Sequence, residues 1–341
     1  MMPEAKCPRS GLPRIAVLAT GGTIAGTSTP DDGTSYAAGT FGIEQLLAAV
    51  PGLDAIATLH AEQIASVGSQ DMRHDIWHAL ATRVAALCED EQVDGIVITH
   101  GTDTIEETAY FLHLVIPAGK PLVLTGAMRP ATALGADGPA NLYAAVALAG
   151  HASARDRGAL VLMNEDIHDA VRVQKIAAAG LAAFASPDRG IAGTMEGDVP
   201  LFYQPPRSHG QAWKGRPPMP LADPAQWPRV GIVYAHADMQ ADVVEFMAAR
   251  YQGVVLAGVG NGNAGAAAMR TLADAAARGV AVVRASRTGR GYVARGVEVD
   301  DDELGFIAAA TLSPQKARVL LMVALMSTND RATLQSWFDA Q

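Results

Sequence analysis

Two stretches of this chain end an apolar run in hydroxyl groups. Residues 17–27 read VLATGGTIAGT and residues 98–112 read ITHGTDTIEETAYFL. Thr23, Thr102 and Thr104 therefore stand just past β-branched runs, with Asp103 between the last two and Glu106 and Glu107 close behind. A third run, 122–130, ends as LVLTGAMRP. A threonine hydroxyl attacks a carbonyl only once a base takes its proton. Lys175, Tyr36, Asp103 and Glu298 are the candidates for that assistance. A desolvated lysine can serve as the base, and a carboxylate beside it would orient it. Backbone N–H groups of glycine-rich turns would serve a developing oxyanion. A competing reading makes the threonines helix caps. It suits Thr104 best, because Glu107 stands three positions on, as in a capping box. Glu106 and Glu107 then occupy a first helical turn, where carboxylates suit the helix dipole, and both read as structural.

Other patterns offer different chemistry. GVGNGNAG places Gly260, Gly262 and Gly265 as G-x-G-x-x-G between a strand and a helix, the setting of a dinucleotide loop. The acidic residue expected about 20 positions on is missing. Arg284 and Arg287 stand there instead and would suit a 2′-phosphate, so an NADP-dependent reductase is the alternative enzyme. His74 and His78 lie four apart, but with no third ligand a solvated helix face is the better reading than a metal pair. The run from Asp300 to Glu303 reads as an acidic helix start and not as a cation site. No metal and no cofactor is expected. Neither a G-x-S-x-G elbow nor a phosphate-binding G-x-x-x-x-G-K-[ST] loop occurs.

Elements that could position these groups alternate along the chain. Apolar runs at 14–18, 95–99, 122–125, 159–163, 230–234, 254–257 and 280–284 read as strands. Helical stretches at 73–89, 104–114, 138–149, 238–250 and 265–278 lie between them. Strands alternating with helices of this length imply βαβ units, and uninterrupted apolar strands imply cover on both faces. The fold class is therefore α/β, with two domains of mostly parallel sheet. The larger, catalytic one is expected over 12–203, and a smaller flavodoxin- or Rossmann-like one over 229–341. Residues 204–228 hold seven prolines, which no helix or central strand tolerates, and read as an extended linker. Ligands of such sheets sit beyond the carboxyl ends of the strands, where Thr23 and Thr102 fall.

Composition narrows the partners. With 26 basic against 35 acidic residues, a formal charge of −9 and 5% aromatics, nucleic acid is not expected as a partner. No apolar stretch approaches the roughly 18 residues of a membrane span. The N-terminal MMPEAKCPRSGLPR lacks a signal peptide's apolar middle, so the cytoplasm is expected, with the periplasm as the alternative if an export signal was removed. Two cysteines, Cys7 and Cys88, exclude a zinc ribbon, and Cys88 reads as a small hydrophobe on a helix.

The same segments carry a family resemblance. VLATGGTIAGT and ITHGTDTIEETAYFL resemble the two signatures of the bacterial-type L-asparaginase and glutaminase-asparaginase family, and the exported, high-affinity type II subgroup most. GSQDM (68–72), GAMRP (126–130), ADGPANLY (136–143), AGVGNGN (257–263) and TLSPQKARVLL (311–321) follow in the family's order, so the likeness runs from residue 13 to the end. It implies hydrolysis of the side-chain amide of L-asparagine to L-aspartate and ammonia through a threonine acyl-enzyme, with some action on L-glutamine and without metal or cofactor. Thr23 matches the primary nucleophile and Tyr36 a tyrosine on a flexible lid, 28–39. Thr102, Asp103 and Lys175 match a Thr–Lys–Asp group. Gly22, Gly68, Ser69, Gln70 and Ala127 match substrate-binding positions. Of these, Ser69 and Gln70 hold the α-carboxylate, and Ala127 lies beside the leaving amide. Asp103 also takes the α-ammonium. Asn263 and Glu298 match residues lent by a neighbouring subunit, within a homotetramer built as a dimer of dimers. Cys88 stands where some exported relatives carry one half of a disulfide, but the partner position is Ala118. A non-catalytic asparagine or aspartate sensor is the remaining alternative, which ammonia release would decide.

Overall fold

The computed structural model describes residues 11–28, 36–37, 41–206, 217, 219 and 221–341. Cys7 and most of the expected lid, 28–39, lie outside the described residues. The first half opens with β1 (Arg14–Gly21), a short antiparallel pair β2 (Thr27–Ser28) and β3 (Tyr36–Ala37), two brief helices α1 (Ile43–Ala48) and α2 (Leu53–Ile56), and β4 (Thr58–Val67). Regular alternation follows through α3 (His74–Glu89), β5 (Gly95–Thr99), α4 (Ile105–Val115), β6 (Leu122–Thr125), α5 (Gly138–Gly150) and β7 (Ala159–Met163). Five short strands come next: β8 (Asp166–Asp169), β9 (Gln174–Lys175), β10 (Phe184–Ala185), β11 (Gly193–Glu196) and β12 (Val199–Phe202). The second half holds β13 (Val230–Tyr234), α6 (Asp242–Ala248), β14 (Gly253–Gly258), α7 (Ala266–Ala277), β15 (Ala281–Ser286), α8 (Asp301–Leu304), β16 (Phe306–Ala308), α9 (Pro314–Leu325) and α10 (Arg331–Asp339).

The fold is α/β with two main sheets, beside the two-stranded pairs β2–β3 and β9–β10. The first has eight strands in the order β12-β11-β8-β7-β6-β5-β1-β4, and β7 through β4 run parallel. The second has four parallel strands in the order β13-β14-β15-β16. Residues of β5, β6 and β7 are buried without exception, which is why these strands are apolar at every position. Each such Val, Leu or Ile contributes about 1.5–3 kcal/mol by leaving water. One core layer joins α3, α4 and α9 to inward faces of both sheets, and α4 packs on α9. A second core backs the large sheet with α1, α2 and α5, and a third backs the small sheet with α6 and α7.

Local chemistry sets the helix starts. α5 and α9 each place a proline in the first turn, where its missing N–H costs nothing. Asp330 caps α10 by accepting the Thr333 N–H at 2.8 Å. Several expectations need correction. α6 is shorter than 238–250, because Asp238 is left-handed at φ 55° and the helix begins only at Asp242. β4 gave no apolar run, since this edge strand is half-exposed along both faces. His74 and His78 are not on a solvated face. His74 lies 5.2 Å from the Trp227 ring, and His78 Nε2 lies 3.2 Å from the Leu221 carbonyl oxygen, so the end of the proline-rich segment docks on α3. Cys88 is a free, half-buried thiol packed against the core.

Candidate active site

Four adjacent parallel strands, β6, β5, β1 and β4, bring their carboxyl ends side by side. The loops that leave them hold Ala127, Thr102 with Asp103, Thr23, and Ser69 respectively. Backbone contact welds these loops together. Gly22, at φ 84°, lies so near the β5 loop that a Cβ there would stand 2.4 Å from the Gly101 backbone. A Cβ at Gly126 would stand 2.6 Å from the His100 carbonyl oxygen. Only glycine permits that approach. Across the other boundary, the Asp103 N–H donates to Ser69 Oγ at 3.1 Å, and the Thr104 hydroxyl donates to the Ser69 carbonyl at 2.7 Å. Thr104 thus sits at the N-cap of α4 but makes no side-chain cap, contrary to the capping-box reading. Its hydroxyl ties the β4 loop to the β5 loop.

Thr23 and Thr102 are both buried, while Asp103 is exposed. The Lys175 ammonium nitrogen, Nζ, is within hydrogen-bond reach of both Thr102 Oγ1, at 2.8 Å, and Asp103 Oδ1, at 2.6 Å. The Lys175 side chain is 15% exposed against 55% for Asp103, so the amine is largely withdrawn from water and the carboxylate is not. A lysine donating to a carboxylate and touching a hydroxyl can relay that hydroxyl's proton once the amine is uncharged. Gln70 and Gly68 are neighbours on the β4 loop, and Gln70 is exposed. The Tyr36 side chain lies outside what is described; its backbone pairs with Ser28 in the β2–β3 ladder.

Supporting residues that the sequence reading passed over hold this arrangement. His100 is fully buried, and desolvation pushes its imidazole down to about 4. Its Nδ1 faces the Gly101 carbonyl oxygen at 2.7 Å, so Nδ1 carries the proton. Nε2 then accepts from the Thr108 hydroxyl at 2.9 Å, and Thr108 in turn accepts from the Trp77 indole N–H at 2.9 Å. The chain of donors runs one way, from α3 through α4 to the glycine before Thr102. On the β6 side, Asp137 accepts the Met128 and Arg129 N–H groups at 2.9 Å each, and Asn141 donates to the Gly126 carbonyl at 3.0 Å. The motif ADGPANLY is the only trace of these two anchors in the sequence. Threonines at the strand ends do other work. Thr20 donates to the Thr99 carbonyl at 3.0 Å and Thr125 to the Leu162 carbonyl at 2.8 Å, stitching strand to strand.

The second half places Asn263 and Glu298 in direct contact, the Asn263 amide donating to the Glu298 carboxylate. Among the described residues no hydrogen bond joins this pair to Thr102, Asp103 or Lys175. Arg284 is not a phosphate ligand. It is fully buried and forked onto Asp301 at 2.6 and 2.7 Å, with its remaining N–H groups on the Asn261 and Ala294 carbonyls. Asp301 is correspondingly a buried anchor and not one more surface carboxylate of the α8 start. Arg287 donates to the Ala235 carbonyl, so the loop has no free basic pair for a dinucleotide. Among the described residues no group of three or more His, Cys, Asp or Glu could hold a metal.

Known proteins match this sequence over nearly all of its length. Residues 14–207 match the family described as Asparaginase, N-terminal, and residues 229–338 match the Glutaminase/Asparaginase C-terminal domain. The chain is 44% identical over 329 residues to the probable L-asparaginase periplasmic of Haemophilus influenzae, covering 96% of this chain and 93% of the relative. It is 44% identical to L-asparaginase 2 of Escherichia coli, covering 96% and 93%. It is 39% identical to the glutaminase-asparaginase of Pseudomonas fluorescens, covering 97% and 91%. A threonine, a lysine and an aspartate in mutual reach at the strand ends, and two matched halves spanning nearly the whole sequence, agree: this chain is a member of the asparaginase family.

Proposed function

We propose that the chain hydrolyses the side-chain amide of L-asparagine to L-aspartate and ammonia, with some action on L-glutamine. The observation that carries the reading is the Lys175 amine within hydrogen-bond distance of both Thr102 and Asp103, beside a loop bearing Thr23. The names of the relatives from Haemophilus, Escherichia and Pseudomonas support the substrate class. In the proposed reaction the Thr23 hydroxyl attacks the amide carbon and yields its proton to a base. The tetrahedral intermediate collapses by breaking the C–N bond, and ammonia leaves with the transferred proton. Water, deprotonated in turn, then cleaves the threonyl ester and regenerates the hydroxyl. Thr102, with Lys175 and Asp103, is assigned the proton transfers. Backbone N–H groups of the welded loops are assigned the oxyanion, and each such donor is typically worth about 100-fold in rate. Tyr36 is assigned to a lid that assists Thr23. Ser69, Gln70 and the Asp103 carboxylate are assigned the zwitterionic end of the substrate, with Gly22, Gly68 and Ala127 lining the rest.

Asn263 and Glu298 are assigned to the cavity of a neighbouring protomer within a homotetramer. Their contact with one another and not with Lys175 supports that assignment. No helix among the described residues is long and apolar enough to cross a membrane. The free thiol at Cys88 favours the cytoplasm as the compartment, and the printed name of the Haemophilus relative favours the periplasm; cell fractionation decides. A coupled ammonia assay on L-asparagine, D-asparagine and L-glutamine tests the reaction. Release from L-asparagine is expected, the other two reading side activity and stereochemistry, and no release from L-asparagine overturns the assignment.

A further inference from the structure

Lys175 sits on β9, a two-residue strand paired only with β10, far in sequence from the threonine it serves. Such a short ladder supplies little rigidity, so something else must hold its backbone. The Lys175 N–H donates to Glu106 Oε2 at 2.8 Å. The other oxygen of the same carboxylate, Oε1, accepts from the Gln315 amide at 2.6 Å. Glu106 is 5% exposed and belongs to the first turn of α4, directly behind Asp103 and Thr104. Gln315 belongs to the first turn of α9, in the second half of the chain. The neighbouring Glu107 makes a second tie between the same helices, 3.2 Å from Arg318.

We propose that Glu106 is a positioning residue for the reaction, its two carboxylate oxygens fixing the Lys175 backbone to α4 and α9. A carboxylate accepts at both oxygens, so one side chain satisfies a half-buried N–H of β9 and the terminal amide of Gln315 together. Because Lys175 reaches Thr102 and Asp103 with the same side chain whose backbone Glu106 grips, a shift of β9 moves the amine off the hydroxyl. Displacements near 1 Å in such a group cost about 100-fold in rate. The role is one of reach, not of charge.

The inference rests on the reaction proposed above, and two substitutions separate reach from charge. Glu106→Gln keeps the length of the side chain. Its amide oxygen still accepts the Lys175 N–H, and its NH₂ meets Gln315 turned end for end. Glu106→Asp keeps the charge and loses a methylene of reach. Steady-state ammonia release from L-asparagine by the full chain is the measurement. Glu106→Gln is expected within about threefold of the wild-type kcat. Glu106→Asp is expected to lose about 10- to 100-fold in kcat with KM within about twofold. The opposite ranking, or wild-type kcat in Glu106→Asp, overturns the proposal. Should Glu106→Asp fail to fold, Gln315→Leu removes one of the two ties from a half-buried position, and an unchanged kcat there overturns it equally. A wild type that releases no ammonia sinks the reaction assignment and this inference with it. An active wild type with an indifferent Glu106 sinks this inference alone.

Discussion

Acid should loosen this fold well before its carboxylates are protonated; two deeply buried histidines lead the effect, and His74, also lowered chiefly by desolvation, acts in the same sense. His100 and His168 are both buried, and desolvation pushes each down to about 4 from an ordinary 6.5. Lys316 adds to the effect at His168. The Nδ1 of His168 is 2.9 Å from Ser186 Oγ, and its Nε2 has no partner in the structure. In the unfolded chain both rings take a proton as the pH falls through about 6.5, whereas the folded protein resists until about 4. The unfolded state therefore binds more protons between those limits, and stability drops as the pH falls through them. The full loss is about 3 kcal/mol per histidine, of which about 2 kcal/mol has gone by pH 5. Glu107, raised chiefly by desolvation, acts in the opposite sense, since its folded form takes up a proton first. Asp75, Asp302 and Asp330 are lowered by hydrogen bonds and lose their contribution as the pH falls through about 4 and below, beneath the pH 7 to pH 5 comparison. Urea unfolding followed by circular dichroism at fixed protein concentration, at pH 7 and pH 5, reads the difference. His168→Asn keeps a polar group near Ser186 and removes the titration, so its loss between the two pH values should be smaller by about 2 kcal/mol. An identical loss in the variant would refute the reasoning for His168, and a stability flat from pH 7 to pH 5 in the parent would refute it for both rings.

Thr23→Ala and Thr102→Val should each lower ammonia release about a thousandfold or more while leaving the circular dichroism spectrum unchanged; near-normal turnover removes that residue from the chemistry. Thr108→Val deprives the Trp77 indole of its acceptor and His100 Nε2 of its donor, so urea stability should fall by about 2–5 kcal/mol. Arg284→Met leaves the fully buried Asp301 carboxylate without its cation, and the expected cost is about 3–5 kcal/mol by the same measurement. A change within about 0.5 kcal/mol in either variant would contradict the corresponding account.

The sequence revealed most where one physical demand ruled each position. β5, β6, β7 and β13 begin and end at the residues their apolar runs marked. β4 stayed hidden because TLHAEQIASV mixes polar and apolar residues on an edge strand half-open to water. Strands β8 to β12 are too short for any period to register. At the site, Thr102 and Asp103 stood out through their glycine-rich setting. Nothing local places Lys175 beside them, since 73 positions separate it from Thr102. The chemistry of a desolvated lysine made it a candidate, and the family likeness, not spacing, put it beside Thr102. Arg284 was misjudged for a related reason: an arginine closing a strand looks the same in sequence whether it faces solvent or a buried aspartate. Glu106 and Glu107 suited the helix dipole so well that their tertiary partners, Lys175, Gln315 and Arg318, left no local sign.

The one-way run of donors from Trp77 to Gly101 gives the molecule an optical gauge of its own. The indole ring also stacks on Phe111, 4.8 Å between centroids, so its surroundings are otherwise fixed. Any reorientation of the Gly101 carbonyl, three hydrogen bonds away, reaches the indole N–H through His100 and Thr108. Once Trp213, Trp227 and Trp337 are replaced by phenylalanine, emission from Trp77 becomes a label-free readout of the loop that bears Thr102.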